Sequence, residues 1–209
     1  MTVLVIGANG RVGRQLCELA SDAGMDVRAM LRHRAEEHTF DHLGVTTVLG
    51  DLEGELREAM EGCDEVVFMA GSGPHTGMDR TLMVDLHGAV RAIELAEELG
   101  VKRFLMLSAL RANDPLHAPE ALRPYMAAKY AADRILVRSE LPYVILAPGK
   151  FTDDEASGLV STDPDSQHDI TISRGNVAQA ALEILRRPDV VNRRIELVDG
   201  DRPVAMALS

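Results

Sequence analysis

Tyr125 and Lys129 stand four residues apart in a stretch of helical periodicity, Pro124–Ser139, so a phenol and an ammonium share one helix face, one turn apart. A cation beside a phenol favours the phenolate and lowers its pKa, which would make Tyr125 a usable proton donor or acceptor near neutrality. The spacing is common on surfaces, where the ring packs on the lysine stem. Its weight here comes from what precedes it in the chain: a glycine turn, a loop of small residues and a serine closing a strand. That serine, Ser108, follows the apolar run Phe104–Leu107, on the ligand side of a parallel sheet. Asp85 is an acid among the apolar positions of the helical segment Met78–Leu99, either a solvent-facing charge or a further polar group of the same site.

The elements that must hold these groups begin at the N-terminus. Val3-Leu4-Val5-Ile6 reads as a buried parallel strand. It breaks into Gly7-Ala8-Asn9-Gly10-Arg11-Val12-Gly13, a G-x-x-G-x-x-G turn, and a helical pattern over Arg11–Ala23 follows, closed by Gly24. Unpaired N–H groups at the helix start, with the positive end of its dipole, form an anion site. Without Cβ atoms the turn lets a pyrophosphate approach the backbone. Strand, turn and helix together predict dinucleotide binding, against the blander reading of an ordinary strand–helix turn. Arg11 offers a second phosphate contact.

Further strand ends add detail. Asp26–Leu31 runs into Arg32-His33-Arg34. An acid at this strand end would accept bonds from the adenosine ribose hydroxyls and repel a 2′-phosphate, whereas Arg32, if more than a solvated loop charge, favours NADP over NAD. Val45–Leu49 ends at Gly50-Asp51-Leu52, an acid and an apolar residue suited to the adenine amino group and ring; Asp51 as the cap of a helix over Glu53–Glu61 fits equally well. Glu65–Met69 leads into Ala70-Gly71-Ser72-Gly73, small residues that let a ligand lie against the backbone. The next loop, Pro74–Gly77, would reach the nicotinamide end, with His75 an acid or base there or merely exposed.

Beyond Ser108, Arg111–Arg123 reads as an irregular excursion carrying Pro115 and Pro119. A strand over Tyr143–Ala147 ends at Pro148-Gly149. Thr152–Asp169 reads as a polar loop or lid over a substrate pocket. A short strand, Ile170–Ile172, precedes Ser173, a good N-cap for a helix over Arg174–Arg186. Arg194–Val198 is a last strand before a short tail. This alternation predicts one α/β domain over residues 1–209, a doubly wound parallel sheet of Rossmann type, with small substrate-side elements around residues 150–175.

Composition narrows the partners. A net charge of −11 with no basic stripe argues against nucleic acid. The two cysteines, Cys17 and Cys63, suggest neither a disulfide framework nor, with the histidines, a metal site. The chain enters a strand at once, leaving no room for a signal peptide, and no apolar run approaches membrane length. A cytoplasmic protein with a small-molecule substrate is expected, and the helices Met78–Leu99 and Pro124–Ser139 offer surfaces for a homodimer.

Taken together, Gly7-x-x-Gly10-x-x-Gly13, Gly71–Gly77 followed by Val84-Asp85-Leu86, Ser108 and the Tyr125/Lys129 pair resemble the short-chain dehydrogenase/reductase superfamily across nearly the whole chain. The glycine spacing is similar to that of its extended and atypical branches. The short length resembles the compact group of NAD(P)-dependent epimerases or reductases, NmrA-like proteins and biliverdin/flavin reductases. The resemblance implies Tyr125 as acid/base, Lys129 as ribose ligand and pKa modulator, and Ser108 as anchor for a substrate carbonyl or hydroxyl. It also implies Asp85 in the place of the superfamily's catalytic Asn, Pro148 beside the nicotinamide, and Arg32 as the NADP-selecting position. Ser108 is followed by Ala109 where relatives often carry a second Ser, and Asp85 cannot stand in for a neutral Asn without a protonation change. An NADP-dependent oxidoreductase or epimerase is the first expectation. An NADP-sensing regulatory protein and a flavin or biliverdin-type reductase are the alternatives.

Overall fold

In the computed structural model, which describes residues 1–73, 76–167 and 170–208, the first apolar run is β1 (Thr2–Ile6) and the glycine turn leads into α1 (Arg11–Asp22). Then follow β2 (Asp26–Leu31), β3 (Thr46–Leu49), α2 (Arg57–Met60) and β4 (Glu65–Phe68). The next helical segment has three parts: α3 (Met78–Arg80), a π-helical stretch over Thr81–Gly88, and α4 (Ala89–Glu98). β5 (Arg103–Leu107), α5 (Arg123–Arg138) and β6 (Tyr143–Pro148) complete the central unit. The C-terminal part contains β7 (Lys150–Thr152), β8 (Leu159–Ser161), β9 (Thr171–Ser173), α6 (Arg174–Leu185), β10 (Arg193–Asp199), β11 (Arg202–Pro203) and α7 (Val204–Ala207).

The sheet order is β11-β8-β10-β6-β5-β4-β1-β2-β3. From β3 to β10 every pairing is parallel, and β8 and β11 extend the edge antiparallel. Alternation along β1 divides the core into two layers. Val3 and Val5 pack with residues of α1 and α6, while Leu4 and Ile6 pack with those of α4 and α5. This is the doubly wound Rossmann sheet, whose ligands lie at the carboxyl ends where strand order reverses, between β1 and β4. Among the described residues no helix is long and apolar enough to cross a membrane. Cys17 and Cys63 are buried free thiols, and burial pushes that of Cys17 up to about 12.

One buried ion pair ties the layers together. Arg103 on β5 donates to Glu65 on β4 through Nη2 at 2.8 Å and Nε at 3.2 Å. Its remaining donors reach the carbonyls of Arg187 (2.6 Å), Val190 and Leu185 (both 3.3 Å) at and beyond the α6 C-terminus. The guanidinium thus satisfies carbonyls that a helix end leaves unpaired.

Several elements depart from the sequence-based reading. The helix expected over Glu53–Glu61 shrinks to α2, because Asp51 accepts the Glu53 N–H (2.9 Å) in a side-chain turn and the chain coils before Arg57. The single helix expected over Met78–Leu99 carries the π stretch. The supposed tail is ordered: β11 extends the sheet, and Ala207 and Leu208 are buried. The region read as a polar lid contributes β8 and is pinned by the buried Asn176, which bonds Ser157, Gly158 and Leu159. His75 lies outside the described residues, as do His168 and Asp169.

Candidate functional site

Three glycines shape the turn after β1, for different reasons. Gly7 has φ +86°, and a Cβ there would lie 2.6 Å from the Ala70 backbone nitrogen. A Cβ on Gly13 would lie 2.3 Å from the Gly7 carbonyl oxygen. These two are needed for the fold itself, to pass β1 under the β4 end and to seat α1 on the turn. Gly10 has an ordinary extended backbone and would meet only the Gly7 oxygen, at 3.1 Å. It is the glycine that leaves space for a ligand. No side chain caps α1 at Gly10, so the first amides of the helix stand open to an anion.

The turn forms one wall of a cleft of about 410 Å³. Gly7, Asn9, Gly10, Arg32, Asp51, Leu52, Ala70, Gly71 and Ser72, all expected from sequence, line it together. Thr76, from the loop expected to reach the nicotinamide end, also lines it, and sequence reasoning missed Glu36, Glu53 and Arg80 on the same walls. Other expected contacts lie elsewhere. Arg11 turns away from the cleft and pairs with Asp153 on the loop after β7, at 2.7 and 2.8 Å. Val12 is a core residue, and Gly13 is buried beneath the turn. Pro148 is buried at the end of β6, its carbonyl taken by the Leu110 N–H at 2.8 Å.

The expected chemical groups gather behind the Gly71–Ser72 wall. The π stretch carries Asp85 inward, where its Oδ2 accepts the Ser72 N–H at 3.0 Å and its Oδ1 would lie 3.1 Å from a Cβ on Gly71. A π turn is a common device for aiming a side chain at a site. Asp85, Lys129 and Ser108 are only 1, 2 and 3% exposed, while Tyr125 keeps part of its surface. From α5, Lys129 donates to the Leu107 carbonyl at 2.6 Å. One turn further along, Asp133 accepts the Ser108 hydroxyl at 2.5 Å. Arg194 on β10 donates to the same Asp133 oxygen at 2.7 Å and to the Ala109 carbonyl at 2.8 Å. Three consecutive residues at the β5 end are therefore each held by one charged side chain. Asp133 was legible as a third step of the Tyr125/Lys129 spacing; Arg194 had no local signal.

These charges reverse one expectation. Burial pushes the Tyr125 phenol well above the ordinary tyrosine value, and the carboxylates of Asp85 and Asp133 push the same way. The Lys129 ammonium is itself pushed down by burial and held up by the same two acids, with Arg194 opposing them. Ser108, its hydroxyl hydrogen directed at Asp133, offers lone pairs rather than a donor.

Comparison with known proteins bears on the family and the fold. A Bacillus subtilis (strain 168) protein named an uncharacterized sugar epimerase, YhfK, is 42% identical over 212 residues, covering 100% of this chain and 99% of its own. A solved structure from Bacillus halodurans, named as a candidate NAD-dependent epimerase/dehydratase, superposes with TM-score 0.96 at 38% identity, covering 100% of this chain and 98% of that one. The oxidoreductase ylbE from Lactococcus lactis follows with TM-score 0.89 and 29% identity, covering 100% and 95%. Residues 7–188 match the family described as NAD(P)H-binding. With that match spanning both the glycine turn and the Tyr125 helix, the chain belongs to the NAD(P)H-binding family.

Proposed function

We infer that the protein is an NAD(P)H-dependent reductase of a small carbonyl compound, with Tyr125 as proton donor. The observation that carries this reading is the placement of Tyr125 on α5, one turn from buried Lys129 and in the field of buried Asp85, with part of its surface exposed where Asp85, Lys129 and Ser108 have almost none. The cleft fits a dinucleotide: Gly10 and the first α1 amides would hold the pyrophosphate, Arg32, Asp51 and Leu52 the adenosine half, and Ala70–Ser72 the other. A bound reduced nicotinamide supplies the hydride. Tyr125 gives its proton to the carbonyl oxygen on which negative charge builds. A phenol kept neutral by burial, and further by Asp85 and Asp133, suits this direction, whereas dehydrogenation needs the phenolate that all three oppose. For the same reason we favour reduction over epimerisation, which must run both ways at one carbon. Arg32, on the cleft wall at the β2 end, supports NADP(H).

The test is NADPH oxidation against a panel of carbonyls, quinones and flavins. Tyr125→Phe is expected to lower turnover by about 10²-fold or more, the usual worth of a positioned acid, with cofactor affinity retained. Undiminished turnover removes Tyr125 from the mechanism. Tight NADPH binding without turnover of any compound favours a cofactor sensor instead.

A further inference from the structure

The cleft wall beside Arg32 contains an acid delivered from outside the strand ends. Glu36 lies in the 3-10 turn Arg34–Thr39 that follows β2. Its Oε1 accepts from the Asn9 amide nitrogen at 2.7 Å, and its Oε2 faces the backbone N–H groups of Arg32 and His33, both at 3.3 Å. Arg14 donates to the other side of the Asn9 amide, which turns the Asn9 NH₂ toward Glu36. The carboxylate is thus docked between the glycine turn and the β2 end, on the same cleft wall as Arg32.

We propose that Glu36 is a cofactor-selecting residue that works against Arg32: it accepts from the free adenosine ribose hydroxyls of NAD(H) and opposes the 2′-phosphate of NADP(H). The proposal rests on the adenosine half lying between Arg32 and Asp51. A 2′-phosphate drawn to Arg32 arrives beside a carboxylate that already faces the two backbone donors of that strand end, and like charges at such range disfavour each other. A ribose diol brings donors instead, and Oε1, which accepts only from Asn9, retains acceptor capacity. An acid on the turn therefore does what an acid at the strand end would do, while the strand end itself is basic. The two residues offset each other, and the balance between them sets the preference for one cofactor over the other. Glu36 also closes a capping box with His33. Glutamine closes the same box, so Glu36→Gln removes the charge and keeps the turn.

The experiment measures dissociation constants of NADPH and NADH by reduced-nicotinamide fluorescence for the parent protein, Glu36→Gln and Arg32→Ala. Glu36→Gln is expected to raise the preference for NADPH over NADH about tenfold, or ~1.4 kcal/mol, by tightening NADPH and weakening NADH. A ratio within twofold of the parent's overturns the proposal. Should Glu36→Gln lower the melting temperature, Asn9→Ala frees the same carboxylate from the glycine turn and is expected to move the ratio the same way; no movement there also overturns it. If Arg32→Ala leaves the ratio unchanged while Glu36→Gln shifts it, the NADP reading of Arg32 fails and that of Glu36 stands. Turnover does not enter these measurements, so loss of the Tyr125 mechanism leaves them intact.

Discussion

Alanine at each of the three turn glycines separates what the fold needs from what a ligand needs. At Gly13 the new methyl would lie 2.3 Å from the Gly7 carbonyl and 3.0 Å from the Ala8 Cα, both backbone, so α1 must lift off the turn. Overpacking of this kind costs about 3 kcal/mol, which for a chain of this size lowers Tm by roughly 6–12 °C. At Gly7 a similar clash adds to a left-handed backbone that costs a further ~1–2 kcal/mol with a side chain. At Gly10 the backbone is extended and the closest atom is 3.1 Å away. The smaller unfolded-state entropy of alanine, worth about 0.4–1 kcal/mol, offsets that contact and leaves Tm within a few degrees. The Gly10 methyl nevertheless stands in the cleft, between a pyrophosphate and the α1 amides. Loss of one or two charge-assisted hydrogen bonds, at about 1.5–3 kcal/mol each, weakens NADPH by about 10²-fold. Thermal denaturation beside NADPH titration checks both quantities. The reasoning is refuted if Gly10→Ala melts with Gly13→Ala, or binds NADPH as tightly as the parent.

Other expectations concern stability. Arg103→Met strands the buried Glu65 carboxylate and releases three carbonyls near the α6 end, so a loss of about 3–5 kcal/mol is expected by chemical denaturation; a loss below 1 kcal/mol would show the pair to be dispensable. The Tyr125 phenol, raised by burial and then by Asp85 and Asp133, gives a pH signature. Below about pH 10 it is neutral whether the chain is folded or unfolded; above that, the unfolded chain releases the proton and the folded one keeps it. Stability then falls by up to about 1.4 kcal/mol per pH unit from this group. Tyr125→Phe removes that slope, so parent and variant should diverge between pH 10 and 11, and parallel curves would show the phenol to be solvated.

The sheet was legible because strand and helix periodicities differ so plainly: Val3–Ile6, Val66–Phe68 and Phe104–Leu107 are continuous apolar runs, each closed within two residues by small ones. The cleft followed from the same strand ends. The π stretch was not legible, since Leu82, Leu86, Val90 and Ile93 continue a helical pattern across it. Its purpose, seating Asp85 against Gly71 and Ser72, lies in another segment. Glu36 was missed for a related reason: its partner Asn9 belongs to a different turn. The sign of the Tyr125 shift was misread because Lys129 is its partner one helical turn on, while burial, the larger cause, belongs to the packed fold and one of the two carboxylates that add to it comes from the π stretch. Local spacing reported which groups meet, but not the balance of charge where they meet.

The bond from Arg194 to the Ala109 carbonyl spans 85 residues, and that to Asp133 spans 61. Among the described residues the walls of the cleft, by contrast, come from residues up to Val84. During synthesis the residues of these cleft walls are therefore complete in sequence long before β10, the strand that clasps Asp133 and Ala109, has been made. Long loops are slow to close, and long-range parallel pairing such as β6 with β10 forms late. Until then Asp133 lacks its cation and the end of β5 lacks one of its three ties. In this topology the cleft walls precede the Arg194 tie along the chain, so β10 closes the β5 end as well as joining β6 to β8 in the sheet.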